Sequence, residues 1–92
     1  MKLIVVEDEK IIRTGLLKHV PWQRLGVSEV EAAANGEEAL AKTENFRPDI
    51  VLSDIRMPGM SGVDLCRKLR EKFPEIEIIF STGYADKEYL KA

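Results

Sequence analysis

A chain of 92 residues with a formal net charge of −2 is bounded to one small domain with a modest core. Its composition, 45% apolar and 33% charged, is that of a soluble globular protein, and the slight acidity disfavours nonspecific attachment to nucleic acid or anionic membranes. No apolar run approaches the ~18–20 residues of a bilayer crossing, and the single cysteine, Cys66, excludes an intrachain disulfide and fits a reducing cytoplasm.

In chain order, "KLIVV" (residues 2–6) is an apolar run without helical spacing, suited to a strand covered on both faces. It meets acid at once in "EDE", too early for a signal peptide. From Glu9 to Val20 the apolar positions Ile12, Leu16, Leu17 and Val20 recur at helical intervals until Pro21 ends the pattern. "WQRLG" reads as a turn, and "VSEVEAA" (27–33) alternates as a strand with one wetter face. Asn35-Gly36 is open to a hairpin turn, but Asn35 followed by Glu38 fits a capping box and "EEALAKTENF" continues as a helix. After Pro48 comes the strand "DIVLSD" (49–54). Ser61 then caps a helix in which Leu65, Leu69 and Phe73 line one face before Pro74 stops it. "IEIIFS" (76–81) is a fourth strand, and "GYADKEYLKA" (83–92) reads as a loop and the start of a fourth helix.

Strands and helices that alternate across short connections predict a three-layer, doubly wound α/β fold with a parallel sheet. In such sheets the site lies in the loops after the strands' carboxyl ends. Here those loops are "EDE", "SDIRMPG" and "STGY", which carry the reactive side chains that the strands lack. Glu7, Asp8 and Asp54 are expected to converge at this edge. Carboxylates ~4 Å apart repel by ~1 kcal/mol in water and by ~4 kcal/mol at an effective dielectric near 20, so three together call for a cation. An all-oxygen donor set suits Mg²⁺, with Mn²⁺ able to take its place. Zinc is disfavoured because Cys66 and His19 lie on helices away from this edge. Beside such a metal, Asp54 could attack phosphorus to give an acyl phosphate, and Thr82 could donate a hydrogen bond to the transferred group.

"VVED", "IVLSDIRMPGMSG" and "IIFSTGYAD" together resemble the receiver domain of two-component response regulators, across essentially the whole chain. The middle motif, D-x-x-M-P-x-x-x-G, is matched by Asp54, Met57, Pro58 and Gly62. The resemblance implies a flavodoxin-like (CheY-like) fold in which a sensor histidine kinase phosphorylates Asp54. It implies that Glu7 and Asp8 position Mg²⁺, that the backbone carbonyl of Arg56 is a further ligand, and that Thr82 is the switch hydroxyl. Gly83 would leave the phosphate accessible, while the Arg56 and Tyr84 side chains would tune its lifetime. "VPWQRLGVSEVEAAANGEEAL" is similar to receivers that precede an AraC-type helix-turn-helix output domain, as in YesN-like regulators. DNA would be reached only through such an output.

Receivers continue through a fifth strand and fifth helix, with a phosphate-contacting lysine at the end of that strand. This chain stops at Ala92, inside the fourth helix, and reads as one receiver unit over 1–92, incomplete at its C-terminus. With strand four left at an edge, self-association through "IEIIFS" is expected. Two other function classes compete. Aspartyl-phosphate phosphohydrolases usually place a second acid two residues after the nucleophile, where this chain has Arg56. An interaction module with this fold need not be phosphorylated, although the acceptor and acidic pair weigh against that reading. A dinucleotide site fails because no glycine-rich loop follows the first strand.

Overall fold

The structure, a computed structural model, describes residues 1–81. The expected loop and helix start at 83–92, together with Thr82, lie outside the described residues. Strands β1 (Lys2–Val6), β2 (Glu29–Ala33), β3 (Ile50–Asp54) and β4 (Glu77–Ser81) alternate with helices α1 (Lys10–His19), α2 (Gly36–Phe46) and α3 (Gly62–Lys72). Among the described residues all pairings are parallel, in the order β2-β1-β3-β4. The chain starts in β1, moves outward to β2 and crosses back to β3, so the direction of winding reverses between β1 and β3. In open α/β sheets ligands bind outside the carboxyl ends of the strands at such a reversal.

Side-chain alternation along the strands divides the core into two layers. Ile4, Val6 and Val51 pack with Ala39 of α2 and with Leu65, Leu69 and Phe73 on or just after α3. Leu3 and Val5 turn to the opposite face with Val27, where Leu16 and Trp22 pack against them. The three-layer α/β expectation therefore holds, and Leu65, Leu69 and Phe73 form the predicted buried stripe. Both proposed caps are formed: the Glu38 N–H donates to Asn35 Oδ1 (2.8 Å) and the Asp64 N–H to Ser61 Oγ (3.1 Å). The reciprocal bond of the first box goes one residue further back, with Glu38 Oε2 accepting from the Ala34 N–H at 3.0 Å.

The turn expected after Pro21 is a 3-10 turn, Trp22–Leu25, closed by Gly26. Two other local readings need adjustment. Strand β2 begins at Glu29 and not at Val27, because the Val27 N–H is taken by the Trp22 carbonyl at 2.9 Å and stays within that turn. Helix α1 buries none of its residues fully; Leu16 packs inward, while Ile11, Ile12 and Leu17 remain exposed.

Among the described residues β2 and β4 lie at the two ends of the sheet, and they differ. On β2, the Ala32 carbonyl accepts a hydrogen bond from Lys42 Nζ, which also lies 3.4 Å from Glu38. A charged side chain laid on a strand edge discourages further pairing. On β4, Ile79 is 50% exposed and Phe80 37%. No helix among the described residues is long and apolar enough to cross a membrane.

Candidate functional site

Glu7 and Asp54 meet because of register. Val6 pairs with Ser53, so Glu7, one residue past β1, stands beside Asp54, the last residue of β3. The Glu7 N–H continues the ladder toward β2 by donating to the Ala33 carbonyl at 3.0 Å. Its side chain turns back over the loop, where Oε2 accepts from the Glu9 N–H at 3.0 Å. Asp8 follows on the exposed side. One carboxylate oxygen from each of Glu7, Asp8 and Asp54 lies within 4.8 Å of the others. The convergence expected from the strand ends is therefore present.

The electrostatics agree with the crowding. Burial raises the Glu7 carboxyl above its ordinary value; the Glu9 N–H opposes this, and Asp8 and Asp54 push it further up. Glu7 itself is only 5% exposed. An all-carboxylate trio with one buried and one open member matches what Mg²⁺ takes: oxygen donors on one side and room for water on the other. Cys66 and His19 stand on α3 and α1, outside this group.

The loop after Asp54 is shaped by the residues of the D-x-x-M-P-x-x-x-G pattern. Met57 is buried in the main core and anchors the loop from beneath. Gly59 has φ +77°, a backbone region that side chains with a Cβ adopt at a cost. The Gly62 N–H donates to the Ile55 carbonyl at 2.8 Å, which closes the loop. A Cβ on Gly62 would run into the Asp54 carbonyl oxygen, so a glycine is needed where α3 starts against the end of β3. Arg56 lies exposed within this loop, two residues after Asp54. Ser81 pairs with Asp54 across β3 and β4; the next residue, Thr82, is outside the described residues.

One contributor was not foreseen from the sequence. Arg13 Nη1, reaching back from α1, donates to the carbonyl oxygens of Glu7 (2.8 Å) and Asp8 (3.4 Å). A basic residue on an amphipathic helix ordinarily reads as solvated, and nothing in the spacing singles Arg13 out.

Comparisons with known proteins converge on one family. The profile of the response regulator receiver domain matches residues 3–92. The transcriptional regulatory protein YesN of Bacillus subtilis is 37% identical over 90 residues, 98% of this chain and 24% of YesN. The crystal structure of a two-component transcriptional regulator AraC from Clostridium phytofermentans superposes with a TM-score of 0.85 at 35% identity, over all of this chain and 74% of that one. Response regulator protein TrrA from Thermotoga maritima, crystallised in complex with Mg²⁺-BeF, has a TM-score of 0.77 at 40% identity, covering 96% of this chain and 74% of that one. The chain spans between about a quarter and just over a third of the curated relatives it matches first, 24% of one and 36% of the next. Those relatives are named as regulators. The agreement of fold, motif and relatives leads to one conclusion: the chain belongs to the receiver domains of two-component response regulators.

Proposed function

We propose that Asp54 is the phosphoacceptor of a cytoplasmic receiver unit, that a sensor histidine kinase loads it in the presence of Mg²⁺, and that the phosphorylated form switches a transcriptional output. The observation that carries this reading is the meeting of Glu7, Asp8 and Asp54 within 4.8 Å at the point where the sheet's winding reverses. The Mg²⁺-BeF complex of the relative TrrA supports the same pairing of metal and phosphoryl-like group for this chain.

An Asp54 oxygen attacks the phosphorus of a phosphohistidine donor. The new P–O bond forms as the P–N bond breaks, and the departing electron pair leaves with the imidazole, which takes up a proton. Charge in the loose transition state spreads over the phosphoryl oxygens. Bound Mg²⁺ would supply a Lewis acid for those oxygens and neutralise the acidic trio, with Mn²⁺ able to replace it. Glu7, Asp8, Asp54 and the Arg56 carbonyl would hold it. Thr82 would then move toward the phosphate and bias the surface around β4. DNA would be engaged only through an output domain elsewhere in the regulator.

Incubation of the chain with acetyl phosphate, with and without Mg²⁺, followed by intact-mass measurement tests this reading. The expected result is one added phosphoryl group on the wild type with Mg²⁺ and none on Asp54→Asn. No added mass on a folded wild-type chain would overturn it.

A further inference from the structure

We propose that Arg13 is a positioning residue for the acidic loop: its guanidinium fixes the peptides of Glu7 and Asp8 so that both carboxylates face Asp54 and the metal. This rests on the metal-site reading above.

The loop from Glu7 to Glu9 turns sharply from the sheet into α1. Its first N–H is tied to β2 through the Ala33 carbonyl, and the Glu9 N–H is tied to the Glu7 side chain. Those two bonds leave the carbonyls of Glu7 and Asp8 to be oriented, and Arg13 Nη1 takes both. Asp8 is exposed and lies beyond the last sheet bond, so packing contributes little to its orientation. The Arg13 N–H makes the ordinary first bond of α1, to the Glu9 carbonyl at 2.9 Å, so its side chain starts one turn from the loop it reaches back to.

The charge of Arg13 also matters. A cationic donor beside two peptide carbonyls makes stronger hydrogen bonds than a neutral one, and its planar shape loses less freedom per bond than a lysine would.

The test is Mn²⁺ binding to the whole chain, read from the loss of the free-ion electron paramagnetic resonance signal. Wild type, Arg13→Gln and Arg13→Lys are compared, with far-UV circular dichroism to confirm folding. Removing a residue that orients metal ligands typically weakens binding ~10–100-fold, and Arg13→Gln is expected in that range. Arg13→Lys, which keeps the charge and a donor, should fall between Gln and wild type. A merely structural Arg13 would lower stability in both variants without changing Mn²⁺ retention, and that result would overturn the proposal. If Arg13→Gln does not fold, unchanged Mn²⁺ affinity in Arg13→Lys overturns it equally. Wild type that binds no Mn²⁺ would instead remove the metal-site reading beneath it.

Discussion

Removing one charge from the acidic trio should stabilise the metal-free protein. Asp8→Asn keeps the side-chain shape and deletes two repulsions, one with Glu7 and one with Asp54. At the 4.8 Å bound on these separations, each pair repels by ~0.9 kcal/mol in water and by ~3.5 kcal/mol at an effective dielectric near 20. Asp8 is exposed, so the watery limit applies more closely, and the relief is about 1–2 kcal/mol. In a domain of this size each 1 kcal/mol raises the melting temperature by ~4–8 °C. Thermal unfolding in chelator should therefore place Asp8→Asn above wild type. Mg²⁺ should reverse the order, since a metal at a hundred times its Kd stabilises the form that binds it by ~2.7 kcal/mol, and the variant has lost a ligand. An Asp8→Asn protein that melts at or below wild type in chelator would refute the claim that these carboxylates repel one another in the fold. So would equal stabilisation of both proteins by Mg²⁺.

Gly62→Ala should destabilise the domain by about 1–3 kcal/mol in urea unfolding, because the new methyl meets the Asp54 backbone and neither partner is a flexible side-chain end; an unchanged midpoint would contradict the close approach. Glu38→Gln should cost a few tenths to ~1 kcal/mol at neutral pH, since its carboxylate accepts from the Ala34 N–H and faces Lys42. The folded form holds the Glu38 carboxyl below its ordinary value of 4.5, so that stability is present above 4.5 and is lost as pH falls through the lowered value. Urea titrations of wild type and Glu38→Gln should accordingly converge in acid, and a gap that persists there would contradict the assignment.

The parts of this fold legible in the sequence are those fixed by local pattern. The runs 2–6 and 50–54 are strands because Leu3 to Val6 and Ile50 to Leu52 are continuous apolar stretches without helical spacing, and each meets an acid where the sheet ends. Asn35 and Ser61 announce helix starts because a short polar side chain there satisfies a backbone N–H within three residues. The acidic trio was readable once parallel strands were inferred, because a parallel sheet brings the strand ends to one edge. Long-range geometry decided the remainder. Val27 looks like a strand residue until its N–H is seen to close the turn at Trp22. Ile12 and Leu17 have the spacing of core residues, but α1 meets the sheet mainly through Leu16. Arg13 could not be singled out because its role depends on which carbonyls the preceding loop presents to it. The roles assigned to the Arg56 carbonyl and to Thr82 rest on the family pattern.

The central claim is that phosphate enters and leaves this protein through the carboxylate of residue 54. Borohydride reduction of the chain after acetyl phosphate treatment, followed by peptide mass mapping, tests it directly, because an acyl phosphate is reduced while a free carboxylate is not. The account predicts homoserine at position 54, dependent on Mg²⁺, with Glu7 and Asp8 unmodified. Reduction at Asp8 or Glu7, or an unmodified Asp54 in a folded and Mg²⁺-saturated chain, would contradict it.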